Sequence, residues 1–138
     1  MKIDGACHCG RISYEAEIDP NKVAICNCTD CQTLSGTTFR VIVPAPEATF
    51  KITGEPKIYI KTTSDSGAPR EQAFCPECGS PIYATSVGDG PKVYGLRLGT
   101  CNQRDQLQPK RHIWHRSALP WLGDLGSLPS LEKGPARN

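Results

Sequence analysis

The chain has 138 residues, the length of one domain, and contains 13 glycines, 12 prolines and eight cysteines. This much glycine and proline argues against a helical bundle, and no apolar run is long enough to span a bilayer. A net charge of +2 argues against a polyanionic partner, so nucleic acid binding is not expected. The first ten residues carry charges and cysteines instead of an apolar secretion signal, which predicts a soluble, cytoplasmic protein.

The predicted elements are short strands separated by turn residues. Residues 11–18 alternate strictly between polar and apolar side chains, which predicts a half-buried strand ending at Asp19-Pro20-Asn21. The following elements are a lead-in strand at 23–25, a helical turn at 29–32, strands at 38–43, 49–53, 57–61, 82–86 and 92–98, a loop at 63–70 and a brief helix at 102–107. Many short strands with turns between them predict a mainly β, antiparallel fold.

The C-terminal part of the sequence changes in composition after Trp114. It becomes rich in glycine, proline and serine, with leucines spaced among them. We expect residues 1–138 to form a single zinc-binding domain, with 119–138 as an extended tail that packs on the sheet. The last residues, 134–138, are expected to be disordered.

The cysteines are the most informative residues of the chain. They form three close groups and one isolated position, namely Cys7/Cys9, Cys26/Cys28/Cys31, Cys75/Cys78 and Cys101. Short loops of this kind can aim several thiolates at one zinc ion about 2.3 Å away, whereas a disulfide within C-x-C is strained. In the most specific group, Cys75 to Gly79, a proline and a terminal glycine favour a tight metal-binding turn. Pro81 argues against the helix that a redox C-x-x-C motif requires.

The residues alone leave the ligand sets open. Either Cys7/Cys9 or two members of the triplet can complete four sulfurs with Cys75 and Cys78. If Cys7 and Cys9 do so, the triplet keeps one position open, which is typical of a catalytic zinc site. Alternatively, Cys101 supplies the fourth ligand to the triplet and both sites are structural.

Several motifs occur together in a characteristic order. They are Gly5-Ala6-Cys7-His8-Cys9-Gly10, Cys26-Asn27-Cys28-Thr29-Asp30-Cys31 followed by Ser35-Gly36, Phe74-Cys75-Pro76-Glu77-Cys78-Gly79-Ser80-Pro81, and later Gly99-Thr100, Pro109, His112-Ile113-Trp114, Ser117 and Pro120-Trp121. In this combination they resemble the glutathione-dependent formaldehyde-activating family, which includes centromere protein V. The resemblance extends over most of the chain.

The resemblance implies a β-tent of packed antiparallel sheets with two zinc ions. It implies a structural zinc and an open second zinc, with the ligands Cys7, Cys9, Cys75 and Cys78 for the first and Cys26, Cys28 and Cys31 for the second. The family usually has histidine where Asn27 stands, so a proton-transfer or orienting role of that histidine is missing here. It usually has an aliphatic residue where Cys101 stands, and Cys101 is therefore expected to be a half-buried free thiol.

The implied activity is the joining of glutathione to formaldehyde, which is carbon–sulfur lyase chemistry in the reverse direction. A thiol, such as glutathione, that enters the open zinc position would be held as a thiolate and could attack the aldehyde carbon. The resulting alkoxide needs a hydrogen-bond donor, for which Ser35 and His112 are the candidate catalytic residues. Zinc with three thiolates is already negative, however, so slow chemistry or a purely structural second site stays an alternative.

Other side chains have a functional and an ordinary interpretation. Trp114 and Trp121 can line a substrate pocket, although core packing is the default for tryptophan. Arg97 and the pair Lys110-Arg111 can meet the carboxylates of glutathione, although most such residues are solvated.

The two remaining histidines carry simpler expectations. His115 is expected to be exposed, alternating with His112 across a strand, and His8 to point to solvent. Two other functions stay open, a zinc-stabilised binding module supported by the basic residues around 110–116, and a thiol redox or metal sensor. The sequence does not predict the oligomeric state.

Overall fold

Strands arranged in two sheets make up most of the regular structure in the computed structural model, which describes residues 1–136. The small sheet is antiparallel and has the order β1-β2-β5, formed by β1 (Lys2–Ala6), β2 (Ser13–Glu17) and β5 (Lys51–Thr53). The large sheet has the order β10-β3-β4-β9-β8-β7-β6, formed by β3 (Ala24–Cys26), β4 (Arg40–Pro46), β6 (Lys57–Lys61), β7 (Arg70–Phe74), β8 (Pro81–Ser86), β9 (Val93–Arg97) and β10 (Arg111–Ile113). The predicted mainly β fold is confirmed.

The large sheet is mixed instead of purely antiparallel. Strand β10 pairs with β3 in parallel, with His112 opposite Ile25 and Ile113 opposite Cys26. The other strand pairs of the described residues are antiparallel. The pairing places the C-terminal strand directly beside the strand that leads into the cysteine triplet.

The hydrophobic core contains residues from both sheets. The predicted alternation around β2 is confirmed, since Ile12, Tyr14, Ala16 and Ile18 are all buried. They belong to one cluster with residues of the large sheet, such as Val43 and Leu96. Each sheet therefore packs one apolar face against this core, and the opposite face of the large sheet does not contribute to it.

The turn at Gly54 connects the two sheets. It follows β5 in the small sheet and precedes β6, which is the edge strand of the large sheet. Gly54 has a φ of 91°, and a Cβ atom there would lie 2.5 Å from the carbonyl oxygen of Arg11. Glycine is therefore required for both the backbone conformation and the close approach to the neighbouring chain segment.

Helical structure is confined to short segments. The predicted turn at 29–32 is the start of helix α1 (Thr29–Ser35), the one α-helix of the described residues. It ends at Gly36, whose φ is 72° and whose N–H donates to the carbonyl of Gln32 at 3.0 Å. The predicted helix at 102–107 is a single 3-10 turn at Arg104–Gln106.

The C-terminal segment contains a 3-10 segment at Leu122–Ser127. Leu119 and Leu122 line a cavity together with Ile25 and Phe39, whereas Leu128 and Leu131 are exposed. Packing of 119–138 on the sheet and the single-domain organisation stay predictions, and 137–138 of the predicted disordered end lie outside the described residues. Among residues 1–136, no helix has the length and apolar character needed to cross a membrane.

Candidate metal centres and active site

Two turns far apart in sequence bring four thiols together. Cys7 and Cys9 follow β1, Cys75 and Cys78 follow β7, and their four Sγ atoms lie within 4.8 Å of one another. The Sγ atom of Cys9 lies 3.6 Å from that of Cys7 and 3.7 Å from that of Cys75. Zinc–sulfur bonds of about 2.3 Å in a tetrahedron place the sulfurs about 3.8 Å apart. This four-cysteine cluster has the spacing of a closed tetrahedral zinc site.

Both turns of the four-cysteine cluster close on a glycine. The N–H of Gly10 donates to the carbonyl of Cys7 at 3.1 Å, and that of Gly79 donates to the carbonyl of Cys75 at 2.9 Å. Gly10 and Gly79 have φ values of 83° and 76°. The left-handed conformation expected at Gly79 is thus present, and it occurs in the first turn as well.

Hydrogen bonds to the sulfurs favour their anionic form. The N–H of Ile12 donates to Cys7 Sγ at 3.3 Å. Ser80 Oγ accepts from the N–H of His8 at 3.0 Å and lies 3.2 Å from Cys78 Sγ, to which its hydroxyl can donate. The hydrogen bond from Ser80 lowers the pKa of Cys78 to about 5. The thiolate form of Cys78, which zinc requires, is therefore favoured by the protein itself.

The second group of thiols is built on the connection from β3 to α1. Cys26 ends β3, Cys28 is the N-cap of α1 and Cys31 lies in its first turn, and the three Sγ atoms are within 4.8 Å of one another. The N–H of Cys31 donates to Cys28 Sγ at 3.3 Å. Among residues 1–136, no fourth thiol, imidazole or carboxylate joins this three-cysteine cluster. The hydrogen bond between the thiols of Cys26 and Cys31 lowers the pKa of Cys26 and raises that of Cys31.

Cys101 lies in neither cluster. It forms an isolated bridge with Gly5 of β1, and its thiol contacts Gln103 Oε1 at 3.5 Å. Burial raises the pKa of this thiol. The structure therefore does not support Cys101 as the fourth ligand of the triplet, and the residue is fully buried where a half-buried position was expected.

Asn27 ties the three-cysteine cluster to β10. This buried residue donates its Nδ2 hydrogens to the carbonyl of Ile113 at 3.1 Å and to His112 Nδ1 at 3.2 Å. Because an amide nitrogen only donates, His112 Nδ1 is the acceptor and its ring proton resides on Nε2. Asn27 Oδ1 is buried without a hydrogen-bond partner among the described residues. Asn27 thus orients the histidine that the sequence nominates.

The nominated side chains Ser35 and His112 face different cavities. His112 is exposed and lines a cavity of about 530 Å³ beneath residues 118–125, without any cysteine. Its ring lies 5.2 Å from that of His115, so the predicted alternation of the two histidines is wrong. The strand ends at Ile113, and the left-handed backbone of Trp114, with a φ of 53°, redirects the chain.

A groove of about 480 Å³ opens onto the three-cysteine cluster at Cys28. Trp114 lines it and is 42% exposed, with the guanidinium of Arg116 5.1 Å from its ring centroid. Trp121 is 46% exposed. The core packing taken as the default for both tryptophans is therefore wrong. His8, Lys110 and Arg111 are exposed, as expected for solvated side chains.

A further cavity lies on the face of the large sheet that points away from the core. The arginine cavity, as we call it, has a volume of about 490 Å³ and is lined by Ser35, Arg40, Arg97, His8 and Ser80, among others. An adjoining cavity of about 370 Å³ shares Arg40 and Arg97 and includes Leu34 and Gln72. These spaces extend from α1 to the turns of the four-cysteine cluster.

Arg40 and Arg97 are the polar residues that sequence reasoning misjudged. No motif of the sequence marks Arg40, and a solvated position is the ordinary expectation for Arg97, yet the two residues are only 6% and 8% exposed. Alternation along β4 contained a signal, because Val41 and Val43 face the core and Arg40 must face the other side. The sequence did not indicate that α1 covers this other side.

Comparison with known proteins agrees with the geometry. The family model of the glutathione-dependent formaldehyde-activating enzyme matches residues 2–117, which include both cysteine clusters. A crystal structure of a protein from Rhodobacter sphaeroides is similar in fold, with a TM-score of 0.58 and 19% sequence identity, over 80% of this chain and 99% of that chain. A search of curated protein sequences found no match.

Proposed function

This chain belongs to the glutathione-dependent formaldehyde-activating enzyme family, and from this premise we propose that it joins a thiol to an aldehyde and cleaves the adduct. The sulfur adds to the carbonyl carbon, the C=O double bond becomes a C–OH group, and the thiol proton ends on that oxygen. The reverse reaction breaks the carbon–sulfur bond, as a carbon–sulfur lyase does. Glutathione and formaldehyde are the substrates that the family name suggests.

The difference in ligand number between the two clusters carries this proposal. Four thiols suit a closed, structural zinc, and three thiols leave one position for a substrate. We therefore assign a structural zinc to Cys7, Cys9, Cys75 and Cys78, and a second, open zinc to Cys26, Cys28 and Cys31. A zinc ion bound by the three thiols would hold an incoming thiol as its thiolate near neutral pH.

The chain's own residues orient the reactants around the three-cysteine cluster. The N–H of Cys31 withdraws charge from Cys28 Sγ, and Asn27 fixes the intervening loop to β10. We assign Ser35 the role of donor to the oxygen that becomes the hydroxyl. Its position on α1 four residues after Cys31 and beside the arginine cavity supports this role, as do the long contacts of 3.4 and 3.5 Å that its Oγ makes to two carbonyls. We assign His112 a role in holding Asn27, since it lines another cavity.

Metal analysis combined with a cobalt-substituted sample tests the proposal. We expect two metal ions per chain, and glutathione should change the absorption of cobalt in the three-cysteine cluster as an external sulfur enters. Nuclear magnetic resonance exchange between free and hydroxymethylated glutathione should accelerate with the zinc-loaded enzyme. Cys28→Ser should abolish both effects, and Cys101→Ser should retain them. Four protein ligands at both ions would contradict the enzyme proposal.

A non-catalytic binding module is the second candidate. The exposed side chains of Trp121, Leu128 and Leu131 form its best support, because apolar residues on a surface often contact a partner. The cobalt experiment separates the two candidates. In a module whose zinc ions are purely structural, glutathione should not bind the metal and should not change the cobalt absorption.

A further inference from the structure

We propose that Arg40 and Arg97 form a subsite that binds a carboxylate group of the substrate, between the two cysteine clusters. The proposal builds on the function proposed above, because it specifies the thiol or the aldehyde as a carboxylate-bearing molecule. Formaldehyde has no charged group and would leave this subsite unused.

The two guanidiniums have hydrogen-bond donors that the described residues do not satisfy. Arg97 donates from Nη2 to Gln72 Oε1 at 2.9 Å. The Nε of Arg97 and the Nε and Nη2 of Arg40 are buried and have no hydrogen-bond partner among residues 1–136. No carboxylate of residues 1–136 forms an ion pair with either arginine. Buried donors are nearly always satisfied in proteins, so these groups indicate a ligand.

Space for a ligand lies next to the two guanidiniums. Both arginines line the arginine cavity and the adjoining cavity, which therefore form a common region next to them. Leu34 and Ser35 line these cavities. They follow Cys31 by three and four residues on α1, so they lie on the same face of the helix as Cys31. Neither cavity is lined by a cysteine, but Arg40 pairs with Cys26 across β3 and β4, which places this region beside the three-cysteine cluster.

The charges of the two arginines and of a metal-loaded three-cysteine cluster do not balance. A divalent ion with three thiolates has a single negative charge, and two guanidiniums together exceed it. Both guanidiniums are buried, where a charge without a counter-ion is costly. An anion between the arginines would remove both the excess charge and this cost.

A carboxylate is the anion that fits these donors. The planar guanidinium binds a carboxylate through two parallel hydrogen bonds, and two converging arginines can hold one carboxylate from both sides. If the arginines only screened the thiolates, charged and neutral ligands of the same shape would bind equally well. The two interpretations therefore differ in a measurable preference.

The experiment compares matched ligands on the zinc-loaded full chain by calorimetry. Propionate against propionamide probes the subsite without a thiol or an aldehyde. The pair 3-mercaptopropionate and 3-mercaptopropionamide, and the pair glyoxylate and glycolaldehyde, then show whether the thiol or the aldehyde carries the carboxylate. We expect the carboxylate of a pair to bind about 10- to 100-fold more tightly, the effect of charge-assisted hydrogen bonds.

Variants assign the preference to the arginines. Arg97→Gln should abolish it, and Arg97→Lys, which keeps the charge in case the glutamine variant does not fold, should reduce it. The control Arg104→Gln changes an exposed arginine whose Nη1 contacts the carbonyl of Cys101, and it should retain the preference. Equal binding of propionate and propionamide to the wild type, or a preference that persists in Arg97→Gln, would overturn the proposal.

Failure of the proposed function would instead leave the propionate preference intact while glutathione has no effect on cobalt absorption.

Discussion

Cys26 and Arg40 lie directly opposite each other on the antiparallel strands β3 and β4. Residues paired in this way have Cα atoms about 4.5 to 5.5 Å apart. The register of the main chain therefore holds a buried positive charge beside a thiol of the three-cysteine cluster. Strand pairing therefore keeps the backbone of Arg40 beside the cluster when the cluster takes up a metal ion.

Arg40→Met should weaken metal binding at the three-cysteine cluster by about tenfold, because the negative metal–thiolate group loses a nearby positive charge. Methionine keeps much of the side-chain volume, and the substitution removes two donor nitrogens that have no partner among residues 1–136. The free energy of unfolding of the metal-free protein should therefore not fall in parallel. Competition with a chromogenic chelator measures both metal sites, and the four-cysteine cluster provides the internal control. Equal weakening at both clusters would count against this local effect.

The cysteine clusters were predictable because their geometry is largely local. Ligands two or three residues apart reach one point whatever the rest of the fold does, and Gly79 marks the turn that this requires. The partner of Cys75 and Cys78 was not fixed by spacing. It became clear only where the ends of β1 and β7 meet.

The surroundings of the clusters were less predictable because they depend on distant strands. The sequence does not predict strand β7, because polar residues such as Gln72 lie on its outer face. The polarity of Gln72 is explained by its side chain, which accepts a hydrogen bond from Arg97. The burial of Arg40 depends on α1 and the neighbouring strands. The exposure of Trp114 was not predictable, because its left-handed backbone ends β10 and a tryptophan does not indicate such a conformation in the sequence.

Cys75→Ser and Cys28→Ser should each remove one zinc ion but differ in their effect on stability. Cys75 is fully buried and its cluster joins β1 to β7, so its loss should lower the free energy of unfolding by more than about 4 kcal/mol. Cys28 is half-buried and its cluster lies within one connection, so its loss should cost less than about 2 kcal/mol. Native mass spectrometry and urea unfolding provide the two measurements. Cys101→Ser is the control and should keep both ions; loss of an ion from that variant would show that Cys101 is a ligand after all.

Asn27→Leu should release the ring of His112 while leaving the cysteine cluster assembled. The variant loses the donor to His112 Nδ1 and to the carbonyl of Ile113, at a cost of about 1 kcal/mol in stability, since the backbone N–H of residue 27 still bonds that carbonyl. The ¹⁵N shifts of the imidazole report the tautomer, which should be Nε2–H in the wild type and mixed in the variant. His115 serves as the reference ring. An unchanged tautomer in the variant would mean that Asn27 does not orient His112.

Asp30 links the first turn of α1 to the end of β6, and its contribution to stability should have a defined pH dependence. Its Oδ2 accepts from Thr63 Oγ1 at 2.6 Å and lies 3.0 Å from Lys61 Nζ. The hydrogen bond from Thr63, followed by the contact with Lys61, lowers the pKa of Asp30 below 3.8. A carboxyl group with a depressed pKa in the folded state stabilises the protein above its unfolded-state pKa and loses this contribution as the pH falls through the folded-state value.

Asp30→Asn should therefore cost about 1 kcal/mol, and this difference should be constant between about pH 5 and pH 8. Below that range the difference should shrink as the wild-type carboxylate becomes protonated. Urea unfolding of both proteins at each pH measures it. Asp65→Asn is the matched control, because the ion pair of Asp65 with Arg116 is exposed on both sides and should contribute little. A difference that already shrinks between pH 8 and pH 6 would trace the effect to a group other than Asp30.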